Sequence, residues 1–212
     1  LCQHVPDLTP EWSVISQAAW AAVADPESEI VGRVAFALDV APDREYASIA
    51  VAGRRADGLL HAEITGRTVL DHRPGTDWIV PRAKELVEAW KPVAFVVDPA
   101  SPAGSLITKL EAAGITVTST SAREHAQACG AFYDAVVKPK EAHEDWASKL
   151  RHLDQAPLNT ALAGAEKRTL GDAWAWARRT ATSDISPLVA ATLALWGLET
   201  VPADSDPLDN IW

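Results

Sequence analysis

Three aspartates stand where an oxygen-ligated metal site could be assembled. Asp39 ends the apolar run 34–38, Asp98 ends a second run, 93–97, and Asp184 opens the apolar stretch 185–196. Two strands that end in carboxylates, followed by a helix that begins with one, can gather three acids at one edge of a sheet. Acids so grouped repel one another unless divalent cations lie among them, which is the chemistry of a Mg2+ or Mn2+ site. Each acid alone has a plainer reading. Asp39 could be a solvated strand end, Asp98 the start of an Asp-Pro turn, and Asp184 a helix cap. Ser183 supplies another candidate for that cap, and the triple carries more weight than any single member.

Other residues are weaker candidates. Asp43 and Glu45 follow the first strand closely, and Asp43 could serve as an outer ligand. Asp172 reads as a turn residue. The histidines His4, His61, His72, His125, His143 and His152 show no paired metal spacing, and the polar surroundings of His125 and His143 predict exposure. Cys2 and Cys129 form no metal-binding spacing either. Lys167, Arg168, Arg178 and Arg179 give one hairpin a basic character suited to phosphate contact.

The elements that must position these residues are legible as patterns. Residues 31–40 read as a buried central strand, and 46–52 and 59–70 as strands around the turn Ala56-Asp57-Gly58. A helix over 77–90 stopped by Pro92, a second buried strand over 93–97 and a helix over 101–113 closed by Gly114 come next. Residues 115–120 read as a strand and 122–137 as a helix. Beyond these lie a short strand at 150–153, a short helix at 158–163 and a hairpin, 165–170 with 172–178, around Gly171. Trp174 and Trp176 are two apart on that hairpin, so they share a face, and their size sends it toward the core or the final helix. The last helix, 184–196, ends at Gly197. Before the first strand, Pro6, Pro10 and Pro26 bracket one short helix over 13–23.

Composition bounds the answer. A chain of 212 residues with 48% hydrophobic content fits one domain with a sizeable core. No run approaches the roughly 20 apolar residues of a membrane span, so no membrane is expected as a partner. The chain begins with Leu1 and contains no methionine, and so reads as a piece of a longer protein. The net charge of −10 is concentrated at the flanks: residues 1–32 carry five acids and 199–212 four, without a Lys or Arg in either. The middle is therefore near neutral, which argues against tight autonomous DNA binding but not against a DNA substrate. No G-x-x-x-x-G-K-[ST] phosphate loop is present.

The order of elements and the three acids resemble the nuclease domain of phage terminase large subunits. The resemblance is carried by Ala37-Leu38-Asp39-Val40, by Val97-Asp98-Pro99, and by Leu170-Gly171-Asp172-Ala173-Trp174 leading to the block from Asp184 to Ala191. It implies an α/β, RNase H-like fold: a mixed five-stranded sheet with an antiparallel meander of three strands, then two parallel strands, flanked by helices, with an extra β-hairpin before the last helix. It implies cleavage of double-stranded DNA during viral genome packaging with two divalent metal ions, Mg2+ or Mn2+. Asp39 would bridge both ions, and Asp98 and Asp184 would each complete one. On this resemblance residues 1–30 are a linker from an N-terminal packaging ATPase domain, 31–198 the nuclease domain and 199–212 an acidic tail. The implied partners are that ATPase domain, the portal and the small terminase subunit, and the implied location is the cytoplasm of the infected bacterial host. Two alternatives keep the fold: a Holliday-junction resolvase or transposase-type nuclease, and a non-catalytic docking module of the motor.

Overall fold

The computed structural model describes residues 12–137 and 147–202. The expectations for Cys2, His4, His143, the start of the linker and most of the acidic tail lie outside the described residues.

The sheet is built outward from β1 (Val31–Val40). Its alternation divides the molecule in two. Val34, Phe36, Leu38 and Val40 enter one hydrophobic core, whereas Ala35 and Ala37 enter the other, and Asp39 shares their parity. β2 (Tyr46–Arg54) pairs antiparallel with β1 and sets Ser48 directly opposite Asp39. β3 (Leu60–Ile64) continues the meander. On the other side β5 (Ala94–Val97) runs parallel to β1, and β6 (Thr118–Ser119) runs parallel to β5.

The meander and the parallel strands follow the sequence pattern, but the sheet has seven strands, not five. The long strand expected over 59–70 stops at Ile64, because Gly66 turns the chain at φ +95. The chain then returns as β4 (His72–Pro74) to pair with β2. A further short strand, β7 (Leu150–Arg151), joins the outer edge of β3.

Helices cover both faces. The short α1 (Gln17–Ala21), capped by the Ser16 side chain, packs Trp20 into the same core as Ala35 and Ala37. On the opposite face lie α2 (Ile79–Trp90) and α3 (Ile107–Ala112), the latter entered through a 3-10 turn at Pro102–Leu106. α4 (Ala122–Val136), α5 (Ala156–Ala163) and α6 (Ser186–Thr200) complete the core that holds Ala35 and Ala37. The hairpin of β8 (Lys167–Leu170) and β9 (Ala173–Trp176) is a separate two-stranded sheet. As its pattern predicts, Trp176 is fully buried and donates from Nε1 to Thr192 of α6 at 3.0 Å.

α6 lies almost entirely inside the protein. It meets a floor of small residues, among them Ala35, Ala37, Ala50 and Ala52, with Ala190, Ala191 and Ala194 of its own. Gly197 does not end this helix, which runs on to Thr200. A Cβ at Gly197 would stand 2.5 Å from Val96 Cγ2 and 3.3 Å from Ala94 Cβ, so its role is close approach to the sheet.

Candidate active site

Asp39 and Asp98 end adjacent parallel strands, and the fold brings their carboxylates to a single cation. Asp39 is fully buried and Asp98 is 6% exposed. The cation is the guanidinium of Arg178, two residues beyond β9. Its Nη2 donates to Asp39 Oδ1 at 3.0 Å and to Asp98 Oδ2 at 3.3 Å, and its Nε donates to Asp39 Oδ2 at 3.3 Å. Asp98 is further fixed by the Ala100 N–H, which donates to Oδ1 at 2.9 Å, and by His125 Nδ1, 3.0 Å from Oδ2.

One guanidinium serves two acids unequally. Complete burial pushes the Asp39 carboxyl above its ordinary value, and Arg178 draws it part of the way back. Burial also works against ionised Asp98, but the His125 hydrogen bond and the Arg178 charge outweigh it and hold that carboxyl at about 2. Burial opposes the charge on Arg178 as well, and the two carboxylates more than offset it.

Asp184 stands one strand further along, over β2. Its Oδ1 accepts from the Ser186 backbone N–H at 2.8 Å and its Oδ2 from the Ser186 hydroxyl at 2.9 Å, so from the residue before the N-cap position, Ile185, it ties down the first residue of α6. Ser183, the alternative cap in the sequence, instead donates to Thr160 O at 3.0 Å. The Ser186 hydroxyl lies 2.9 Å from Ser48 Oγ, and Ser48 Oγ lies 3.0 Å from His72 Nδ1. His72 Nδ1 is itself 3.9 Å from Asp184 Oδ2, while burial lowers the His72 pKa and the Asp184 charge partly restores it. Because Ser48 is the cross-strand partner of Asp39, this polar chain connects Asp184 to the strand pair that carries Asp39.

The remaining candidates divide. Asp43 is exposed and accepts from the Glu45 N–H at 3.0 Å, so it shapes its own turn. Arg178 does not lie at an open rim awaiting phosphate, since its side chain is 13% exposed and paired with the acids. Lys167, Arg168 and Arg179 are exposed, and Lys167 Nζ sits 4.1 Å from the Trp174 ring and 4.4 Å from Tyr133. The expected exposure of His125 is overturned, because its side chain is 2% exposed. A signal for this existed: His125, Cys129, Phe132 and Val136 form one stripe at helical spacing. Cys129 is no nucleophile, because burial pushes its thiol up to about 12.

Magnesium and manganese take hard oxygen donors, which Asp39 and Asp98 supply. The seat for a cation is marked by Arg178 Nη2, which touches both carboxylates. A divalent ion fits that seat in charge and donor type, provided the guanidinium leaves. Asp184 is not part of it, and among the described residues no three His, Cys, Asp or Glu side chains converge to hold a metal ion. The described arrangement therefore offers one bridging seat rather than a preformed two-ion site.

Sheet order and acidic edge together define an RNase H-like α/β domain. Among solved structures, 88% of the chain aligns with the HK97 bacteriophage large terminase at a TM-score of 0.66 and 12% identity. It spans less than half of that protein, 43%. The large terminase nuclease from thermophilic phage G20c aligns over 84% of this chain and 95% of its own, with a TM-score of 0.58 and 15% identity. The nuclease domain of the large terminase subunit of bacterial virus Sf6 aligns over 90% and 99%, at 0.53 and 16%. A second G20c structure has bound magnesium, and an Sf6 mutant structure is with manganese. No protein-family model and no curated protein matches the sequence. At these identities the likeness establishes the fold, which is that of large-terminase nuclease domains.

Proposed function

We propose that this domain is a metal-dependent endonuclease that cleaves double-stranded DNA during viral genome packaging, as the nuclease domain of a terminase large subunit. The observation that carries the reading is the pair of buried carboxylates, Asp39 and Asp98, sharing one cation at the ends of adjacent parallel strands. The magnesium and manganese in similarly folded terminase nucleases support a divalent ion at that seat. Asp39 and Asp98 would hold the first ion in place of Arg178, and Asp184, released from Ser186, would complete a second with Asp39. Bound there, two divalent ions supply an activated water and neutralise charge on the leaving oxygen.

The chain's own residues do the positioning. The Ala100 N–H and His125 hold Asp98, and Ser48 and Ser186 keep Asp184 near β2. Lys167, Arg168 and Arg179, exposed on and beside the hairpin, meet backbone phosphates without reading sequence. A packaging ATPase domain of the same polypeptide, the portal and the small terminase subunit are the partners this reading requires, in the cytoplasm of an infected bacterium.

The decisive experiment incubates the purified domain with supercoiled plasmid in Mn2+, Mg2+ or EDTA. Cleavage should need the metal, and Asp39→Ala, Asp98→Ala and Asp184→Ala should each abolish it while circular dichroism stays that of the folded protein. Wild-type cleavage by all three variants would refute the reading. Selective cutting of four-way junctions would move it to a resolvase on the same fold.

A further inference from the structure

His125 is placed with unusual care for a residue with one hydrogen-bonding partner on its ring. The Ser121 side chain accepts from the Glu124 N–H, and the Glu124 carboxylate accepts from the Ser121 N–H, so a capping box fixes the start of α4. His125 follows immediately, its N–H donating to Ser121 O at 2.9 Å. From there its imidazole reaches the end of β5, with Nδ1 3.0 Å from Asp98 Oδ2. Its Nε2 is buried and has no partner among the described residues. Leaving a buried nitrogen unpaired costs stability, so internal hydrogen bonding alone does not account for this side chain.

Among the described residues the Asp98 carboxylate has three donors. The Ala100 N–H holds Oδ1, whereas His125 and Arg178 share Oδ2. Ala100 and His125 are tied to a turn and a helix start. Arg178 alone sits on the seat shared with Asp39, and only its place is exchangeable for another cation. We propose that His125 is a positioning residue for this cation seat: it occupies one lone pair of Asp98 Oδ2 and so aims the other at the point facing Asp39. Without it only the Ala100 N–H restrains the carboxylate, through Oδ1, and Oδ2 is no longer held in the direction that faces Asp39. This rests on the reading of Asp39 and Asp98 as cation ligands. It assigns His125 no contact with DNA or with the reacting phosphate.

The test is Mn2+ binding to the DNA-free protein, read by electron paramagnetic resonance for wild type, His125→Ala, His125→Asn and His125→Gln. Outer-shell partners of this kind change metal affinity by about 10- to 100-fold, and that loss is expected for His125→Ala. The Asn amide nitrogen can replace the Nδ1 donor, so His125→Asn should recover most of the affinity, while Gln, reaching to the Nε2 position, should not. In plasmid cleavage His125→Ala should raise the Mn2+ concentration for half-maximal rate and leave the rate at saturating Mn2+ within a few-fold of wild type. A folded His125→Ala protein with wild-type Mn2+ affinity overturns the proposal. If His125→Ala does not fold, equal affinities for the Asn and Gln variants overturn it as well. A wild-type protein that binds no Mn2+ rejects the nuclease reading and the seat together, a result distinct from equal binding by wild type and variant.

Discussion

Arg178 governs the state of the site at the level of single residues. It lies 139 residues from Asp39 in sequence, yet it is the charge that makes two buried carboxylates tolerable without a metal. Removing one partner of such a buried group leaves the other uncompensated, at a cost of about 3–5 kcal/mol. Arg178→Ala should therefore destabilise the metal-free protein at pH 7 and, by vacating the seat, tighten Mn2+ binding. The pH dependence has a definite sign. Burial raises the Asp39 pKa, so its protonated form is favoured in the folded state. The penalty on the ionised form is relieved as pH falls through the folded pKa and returns as pH rises. Urea melts of wild type and variant should thus be furthest apart near pH 7 and draw together as pH falls, with the share owed to Asp98 lost only as pH approaches about 2. Unchanged Mn2+ affinity in Arg178→Ala would show that guanidinium and metal do not compete.

At the level of elements, α6 and the β8–β9 hairpin hold the site together. α6 approaches the sheet closely because alanines line the interface and Gly197 has no side chain. Gly197→Ala would gain roughly 1 kcal/mol of helix propensity. The new Cβ, however, would stand 2.5 Å from a methyl of fully buried Val96, and overpacking of this kind costs about 1–3 kcal/mol. Because Val is branched at Cβ and cannot swing away cheaply, the clash should prevail and the melting temperature should fall. A melting temperature at or above wild type would mean that the helix shifts freely, contrary to its close packing. The hairpin is held by Trp176, and on its exposed side Lys167 lies over the Trp174 and Tyr133 rings with Arg168 exposed beside it. The double change Lys167→Ala with Arg168→Ala should slow cleavage of all DNA sequences equally and leave Mn2+ affinity as in wild type. Wild-type rates at moderate salt would leave the hairpin a structural element.

The whole molecule carries a net charge of −10 and presents its basic residues sparsely. Binding to DNA through a few phosphate contacts is weak and salt-dependent, because each contact releases condensed counterions. The isolated protein should therefore bind duplex DNA weakly, with little preference for sequence and a shallow dependence on salt. Fluorescence anisotropy at two salt concentrations measures this. Tight and sequence-selective binding would point away from a domain positioned by partners and toward a self-sufficient resolvase or transposase.

Strand ends, helix starts and the hairpin were written locally. The periodicity of 31–40 and 93–97, the acids that close those runs, and the paired tryptophans were all legible, since burial of one face imposes a short repeat on neighbouring residues. Between Leu59 and Leu70 the apolar content continues past Gly66, where the backbone turns, so the pattern is longer than the strand. β4, of three residues, has no pattern of its own, and the strand expected at 150–153 shortens to Leu150–Arg151, its place at the edge of β3 being set by tertiary pairing. Asp39, Asp98 and Asp184 stand out in the sequence as acids at element ends, but the partner of each oxygen does not. That Asp98 is held by His125, that Arg178 sits between Asp39 and Asp98, and that Asp184 turns to Ser186 depends on side chains meeting across the fold. A sequence records which groups can carry charge, whereas only the packed chain decides which of them share a space, because desolvation and partner distance are properties of that space.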